Sequence, residues 1–404
     1  MAISNKITNS NGFKETEIGM IPEDWEVVKL GERAILIMGQ SPPGSTYNEV
    51  CQGMPFLQGK AEFGELSPKY FKYTTKPLKI APMGSILISV RAPVGDVNIA
   101  NIDFCIGRGL ASLSLKNGEN IFLFYLLKYL KSEIEREGTG STFKEINKSK
   151  LQEFKIPLPP LSEQKKIAAV LSAVQEAKEK TEAVIKATKE LKTSLMKHLF
   201  TYGPVSPKEA GNVALKETEI GMIPEDWEVV KFENLIIEGK NNVGKIKQSS
   251  YKNFGKYPII DQGKNFIAGF CDDENLVYKG QLPVVIFVDH TRIFKFVDFP
   301  FISGADGTKI LQPNTNLINP LYFYFALTNL DIPSRGYNRH YPLLREKFLP
   351  LPPLSEQQKI AEILSAVDEK IEAEENKKKS LEDLFKTLLN NLMTGKIRVN
   401  NLEV

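Results

Sequence analysis

The chain repeats itself, and the repeat constrains its organisation more than any other feature. Residues 14–29 read KETEIGMIPEDWEVVK, and residues 216–231 read the same sixteen letters. A second pair follows, PLPPLSEQKKIAAVLSAV from Pro157 and PLPPLSEQQKIAEILSAV from Pro350. A weaker third pair closes each half, around Ser194 (SLMKHLFT) and Thr387 (TLLNNLMT). A period of roughly 200 residues is far too long for a solenoid, so a whole domain-plus-helix unit is duplicated. The 404 residues then divide into 1–30 (N-terminal segment and first frame repeat), 31–157 (first globule), 158–203 (first long helix), 204–232 (linker and second frame repeat), 233–349 (second globule), and 350–404 (second long helix and tail).

The globules differ in sequence while the frame does not. They share an outline: an apolar run after a glycine, Gly84 to Val90 in one and Gly280 to Val288 in the other. A short aromatic and aliphatic helix comes next, Ile121 to Leu130 and Leu321 to Leu330, then a polar loop before the prolines. Short strand-like runs with scattered Gly and Pro predict an α+β globule in both cases. A constant frame with divergent inserts implies a common partner for the frame and two different targets for the inserts.

After the prolines the pattern is helical. Ser162 is expected as N-cap with Glu163 at the positive helix end. Apolar residues recur at Ile167, Val170, Val174, Ala177, Val184, Leu191 and Leu195. The second helix repeats this with Ile360, Ile363, Val367 and Ile371, then Leu381, Leu384, Leu388 and Leu392. Gly203 and Gly395 mark the stops. A helix over 162–200 would run roughly 57 Å and, with so narrow a stripe, needs a partner. The other copy in the same chain is the natural one, as an antiparallel coiled coil with pseudo-twofold symmetry. The symmetry places 14–29 beside the end of the second helix, as 215–232 follows the end of the first. Two modules on a fixed spacer suit duplex DNA, whose backbone is itself twofold.

Composition sets outer limits. At 42% hydrophobic and 25% charged residues the chain is an ordinary globular protein. No stretch approaches the ~20 apolar residues of a membrane span, and the polar N-terminus lacks the apolar core of a signal peptide, so a cytoplasmic location is expected. Cys51, Cys105 and Cys271 are isolated and odd in number, against a disulfide framework. The formal charge of +3 is uneven: residues 31–156 carry +4 and 233–348 carry +3, with −4 over the remainder. Mildly basic globules fit nucleic acid, though ordinary surface variation gives the same figures.

Two variable globules, each preceded by KETEIGMIPEDWEVV and followed by PLPPLSEQ and a long helix, resemble the specificity subunit of type I restriction–modification enzymes. The resemblance runs from Lys14 to Val399. It implies that each globule is a target recognition domain reading one half of a split, asymmetric duplex DNA site. It implies that the helices set the gap between half-sites and dock two methyltransferase subunits, and that restriction subunits join the complex. S-adenosylmethionine, ATP and magnesium are then expected on those partners, with no cofactor or metal on this chain.

Motifs for catalysis fail on inspection. Asn319-Pro320-Leu321-Tyr322 lacks the second proline of an amino-methyltransferase motif and is better explained as a turn before a helix. Gly239 to Ile246 resembles a P-loop, but Ile246 stands where a Ser or Thr must bind magnesium. Asp226 with Glu238 and Lys240 only loosely suggests a nuclease site, and the copy at Asp24 has no matching residues. His198, His290 and His340 are far apart without ligand-spaced neighbours. The chain reads as non-catalytic, with a protein-interaction scaffold of incidental DNA affinity as the alternative function.

Phosphates are held by Lys, Arg and small polar groups, and base edges by Arg, Lys, Asn and Gln. On that basis the first globule offers Gln58, Lys60, Lys69, Tyr70, Lys72, Arg91, Arg108, Ser141, Thr142 and Lys144. The second offers Gln262, Lys264, Asn265, His290, Arg292, Lys309, Arg335, Tyr337, Asn338, Arg339 and His340. The Gln-Gly-Lys triplet recurring in both is the sharpest hint. Trp25 and Trp227, with Ile167, Val174, Ile360 and Val367, are assigned to the frame; the tryptophans are expected to pack their strand against a helix end, or to contact the partner, or both.

Overall fold

The computed structural model describes residues 12–138, 145–237, 245–304, 307–334, 336 and 339–399. It divides into two units, the first formed by Met1–Thr181 with Lys377–Val404 and the second by Glu182–Asn376.

In the first unit the run after Gly84 is a strand, Ile86–Ser89, every residue of it buried. It sits inside a four-stranded antiparallel sheet between Val97–Ile99 and Leu110–Leu115, with Ala34–Met38 at the far edge. A second sheet places Met54–Leu57 parallel to Phe104–Ile106. The helix Asn120–Tyr129 carries aromatic and aliphatic residues into the main core, which also takes in Trp25, Ile156, Ile167 and Leu392. The frame repeat supplies Glu26–Lys29, which pairs antiparallel with Lys155–Leu158, so the strand before the globule is tied to the strand after it.

The second unit follows the same plan with fewer strands. Val284–Val288 lies between Ile293–Val297 and Thr308–Leu311, and Tyr257–Ile260 runs parallel to Ile302–Ser303. The helix Pro320–Thr328 fills the core beside Trp227, Phe232 and Leu349, and Glu228–Lys231 closes onto Phe348–Leu351. Asn319 caps that helix, its side chain accepting the Leu321 and Tyr322 N–H groups at 3.0 Å. The Asn-Pro-Leu-Tyr stretch is therefore a helix start, with Tyr322 fully buried and bonded to the Pro350 carbonyl.

Two long helices, Leu161–Tyr202 and Leu354–Met393, contribute to both units. Within the first unit Lys178 lies over the Phe385 ring at 5.5 Å, while Glu163 meets Arg398 beyond the helix end, so the segments are antiparallel. Within the second, Lys189 pairs with Glu375 and Lys192 with Asp368, again with opposite direction.

Two expectations about these helices need correction. Pro160, rather than Ser162, holds the cap position, as Pro353 does in the second helix, for their carbonyls accept the first helical N–H groups at Glu163 and Glu356. The apolar stripe also drifts. Val184 and Leu191 are 40% and 52% exposed, and Ile363 and Leu384 are exposed as well. The buried positions keep the expected Ile167, Ile360 and Ile371 and add Leu171, Ile185 and Leu364 together with Gln175, Thr181 and Glu374. An apolar count misses these polar members because each has a partner: Thr181 bonds the Ala177 carbonyl and Glu374 takes Lys370 within their own helices, while Gln175 reaches across to Glu65. Val174 and Val367 lie half-buried at the seam's edge.

Candidate nucleic-acid interface

In the first unit the parallel pair ends where the Leu57 carbonyl accepts the Gly107 N–H at 2.8 Å, and Gln58 begins the outgoing loop. The Gly109 carbonyl accepts from Val90 at 2.9 Å, which brings Arg91 alongside. Glycine is needed here for close approach: a Cβ at Gly109 would lie 2.7 Å from the Gln58 carbonyl oxygen. Gln58, Arg91 and Arg108, distant in sequence, thus sit at one end of the sheets with exposed side chains. Arg91 has Glu145 3.5 Å away. Lys60 is already engaged by Asp96 at 2.6 Å. Lys131 contacts the same carboxylate; burial opposes its ionisation, but Lys131 and Lys60 hold it below the usual aspartate range.

In the Lys69-to-Tyr73 stretch the ring of Phe71 is exposed between the two lysines, but that of Tyr70 is not. Lys69 and Lys72 are exposed, while Tyr70 packs edge-on against Phe104 at 5.3 Å, against the core of the smaller sheet. Ser141, Thr142 and Lys144 lie outside the described residues.

The second unit builds the same place from other residues. The Ile260 carbonyl accepts the Gly304 N–H at 2.8 Å, and the Gly307 carbonyl accepts from Asp289 at 2.8 Å. Both bonds match those of Leu57–Gly107 and Gly109–Val90. The two Gln-Gly-Lys triplets, Gln58 to Lys60 and Gln262 to Lys264, therefore lie just past corresponding strand ends, the second one residue further on because Asp261 intervenes. Gln262, Lys264 and Asn265 are exposed. So are Lys309, whose ammonium lies 5.5 Å from the Tyr341 ring, and Arg339. His290 is half-buried nearby, its ring 3.4 Å from where a Gly307 Cβ would fall. Arg292, with φ +60°, turns its guanidinium onto the Ile332 carbonyl.

His340 is a correction. It has no exposed surface, its N–H donates to Asp289 Oδ1 at 2.6 Å, and its ring Nδ1 lies 2.8 Å from the Asp289 carbonyl. A polar-loop count cannot tell a histidine that anchors the loop from one that faces a ligand. Arg335, Tyr337 and Asn338 lie outside the described residues.

Sequence reasoning missed the buried polar residues beneath these loops. Lys295, 3% exposed, donates to the carbonyls of Asp261, Gly263 and Asn265 at 3.1, 2.9 and 2.6 Å. Burial draws its ammonium below the ordinary lysine range, against the pull of Asp261. Its position on the hairpin, opposite Ile286, corresponds to Asn98 opposite Leu87 in the first unit. Asn98 is also fully buried and exchanges two bonds with the Gly64 backbone. The signal was a single lysine inside the apolar strand Ile-Phe-Lys-Phe-Val.

The frame tryptophans form two matching junctions. Trp25 is fully buried, its Nε1 donates to Glu163 at 2.9 Å in the first turn of one long helix, and its ring lies beside Gly395 at the end of the other. Trp227 is equally buried, donates to Glu356 at 2.9 Å and lies beside Gly203. The packing role expected for both is present. Segment 14–29 does lie beside the end of the second helix, since Asp24 and Glu163 both bind Arg398.

Two unlike α+β domains, each set in the same tryptophan frame and each bringing glycine-lined loops to corresponding strand ends, define a duplicated recognition module. Residues 22–188 and 224–383 match the type I restriction modification DNA specificity domain. The chain belongs to that family, and it is a type I specificity subunit with two copies of the domain. Among its relatives is the putative type I restriction enzyme MjaX specificity subunit of Methanocaldococcus jannaschii, 52% identical over 192 residues, covering 46% of this chain and 45% of that protein. The MjaVIII specificity subunit of the same organism is 28% identical with both chains covered completely. The crystal structure of a type I restriction–modification S subunit from M. genitalium superposes with a TM-score of 0.67 over 91% of this chain and 96% of that one, at 20% identity, a likeness of fold. No helix among the described residues is long and apolar enough to cross a membrane.

Proposed function

We propose that each domain reads one half of a bipartite, asymmetric duplex DNA site, using the loops around Gln58, Arg91 and Arg108 in the first and around Gln262, Lys264, Lys309 and Arg339 in the second. The observation that carries this is the match of hydrogen bonds at corresponding strand ends, Leu57–Gly107 with Gly109–Val90 against Ile260–Gly304 with Gly307–Asp289, under unlike side chains. Such a pattern keeps a docking geometry while changing what is read.

The long helices set the distance between half-sites, and the frame docks two methyltransferase subunits. Exposed residues of the repeated hairpins support the docking role: Met20 and Met222 are both 45% exposed and identical, although packing does not demand it. Restriction subunits complete the assembly in the cytoplasm. The chain performs no chemistry itself; S-adenosylmethionine, ATP and magnesium belong to the partners. The test is selection from random duplexes with the cognate methyltransferase present, followed by sequencing of the bound fraction. A split motif with two unlike halves and a fixed gap is expected. A single contiguous motif refutes the division of labour.

A further inference from the structure

The buried ammonium of Lys295 does more than tie down a loop. Its three acceptors are the carbonyls of alternate residues, Asp261, Gly263 and Asn265. In a planar trans peptide the C=O and the following N–H point in opposite directions. Drawing these carbonyls inward therefore turns the N–H groups of Gln262, Lys264 and Phe266 outward. None of the three has an acceptor among the described residues, whereas the intervening Gly263 N–H is taken by Asp261 Oδ1 at 2.7 Å. Three outward amides along one exposed strip, with the side chains of Gln262 and Lys264 beside them and a cation beneath, are open to anionic oxygens spaced along a backbone. Backbone N–H groups in such an arrangement are a recurrent means of holding nucleic-acid phosphate.

We propose that the loop Asp261–Phe266 is a phosphate-binding loop for the DNA backbone, shaped by Lys295, and that only the second domain has it. The first domain arranges this loop differently. Counted from the matched strand ends Leu57 and Ile260, Gly59 stands where Gln262 does and its N–H donates to Glu62 at 3.1 Å, the triplet lysine Lys60 pairs with Asp96, and the position of Lys295 is held by the neutral Asn98. The inference rests on the DNA reading above and assigns one part of that contact. Lys295 is a positioning residue; the contacting groups are the three amides and Lys264.

The experiment uses the full chain with its methyltransferase partner, a random-sequence duplex of about three helical turns, and amide NMR of selectively labelled Gln262, Lys264 and Phe266. Saturable shifts of these amides on adding duplex, weaker ones with inorganic phosphate, and no shift at Gly59 are expected. K295M should abolish the shifts, weaken duplex binding about tenfold, as for loss of one charge-assisted contact, and lower the salt slope by about one phosphate. K264Q, an exposed change that leaves the fold alone, should lower the slope while the amides still shift. Duplex binding with unmoved amides overturns the loop assignment and leaves the DNA reading standing. Absence of duplex binding by the native complex overturns the reading itself.

Discussion

Replacing Arg398 by methionine tests whether the frame junction holds the first unit together. Arg398 lies beyond the second long helix and grips Glu163 with two bonds, Nε to Oε1 at 2.8 Å and Nη2 to Oε2 at 2.9 Å, while reaching Asp24 at 2.6 Å. Glu163 is 1% exposed, and removing one member of a buried ion pair ordinarily costs about 3–5 kcal/mol. Two features reduce that figure. Arg398 is 31% exposed, so water screens the pair, and Glu163 keeps the Trp25 N–H and the helix N-terminus after the change. About 2 kcal/mol is expected, which is about 1 M in urea midpoint for a slope of about 2 kcal/mol per molar. The assay is urea unfolding followed by tryptophan fluorescence, because the chain's two tryptophans fall one in each unit. With W227F as background, Trp25 reports the first unit and R398M should lower its midpoint by about that amount. With W25F as background, Trp227 reports the second unit, where Glu356 accepts the indole, and its midpoint should move less than half as far. An unmoved Trp25 transition, or equal shifts in both, refutes the account of the junction.

Three further outcomes follow from the geometry. Asp96 has a depressed pKa, so the stability its ion pairs give is present above the unfolded value near 3.8 and is lost as pH falls through the folded one. D96N should therefore cost about 1 kcal/mol at neutral pH, and its difference from the native chain should vanish in acid denaturation curves below the carboxylate range; a difference that persists there rules this out. R339A should relax base preference in one half-site only, read by sequencing of selected duplexes; equal damage to both halves contradicts two independent readers. Deleting one heptad from each long helix, in the stretch 187–193 and its partner 370–376, should change the preferred gap between half-sites, and an unchanged gap excludes the ruler.

The repeats made the architecture legible, since letters preserved twice in one chain mark what both halves need. The tryptophans and the two long helices follow from that pattern, while the helices at Asn120–Tyr129 and Pro320–Thr328 follow from a shared apolar outline under unlike letters. Candidate recognition residues were legible only as types. Gln58 and Gln262 stand out because the triplet recurs, but whether the adjoining lysine is available depends on groups remote in sequence: Asp96 takes Lys60, and no carboxylate in the described residues forms an ion pair with Lys264. His340 shows the opposite failure. Its loop is polar, yet Asp289 lies 51 residues away and draws it wholly inside. The stripe of the long helices was misread for a third reason, that Gln175, Thr181 and Glu374 are buried with local or cross-element partners no apolar period records.

Lys295 and Asn98 point to how such a chain diverges. Both lie at the same hairpin position, both are buried, and both exist to satisfy loop backbone. Exchanging one for the other changes no exposed side chain, yet it changes which backbone carbonyls are held inward and thus which amides face out. A buried lysine with three carbonyls tolerates only a loop that supplies all three, because an unsatisfied ammonium in that place carries a large desolvation cost. The buried residue and the loop above it must then change together. Specificity in a domain of this kind is accordingly written in two layers, the exposed residues that touch DNA and the buried polar residue that decides which backbone groups are there to touch it.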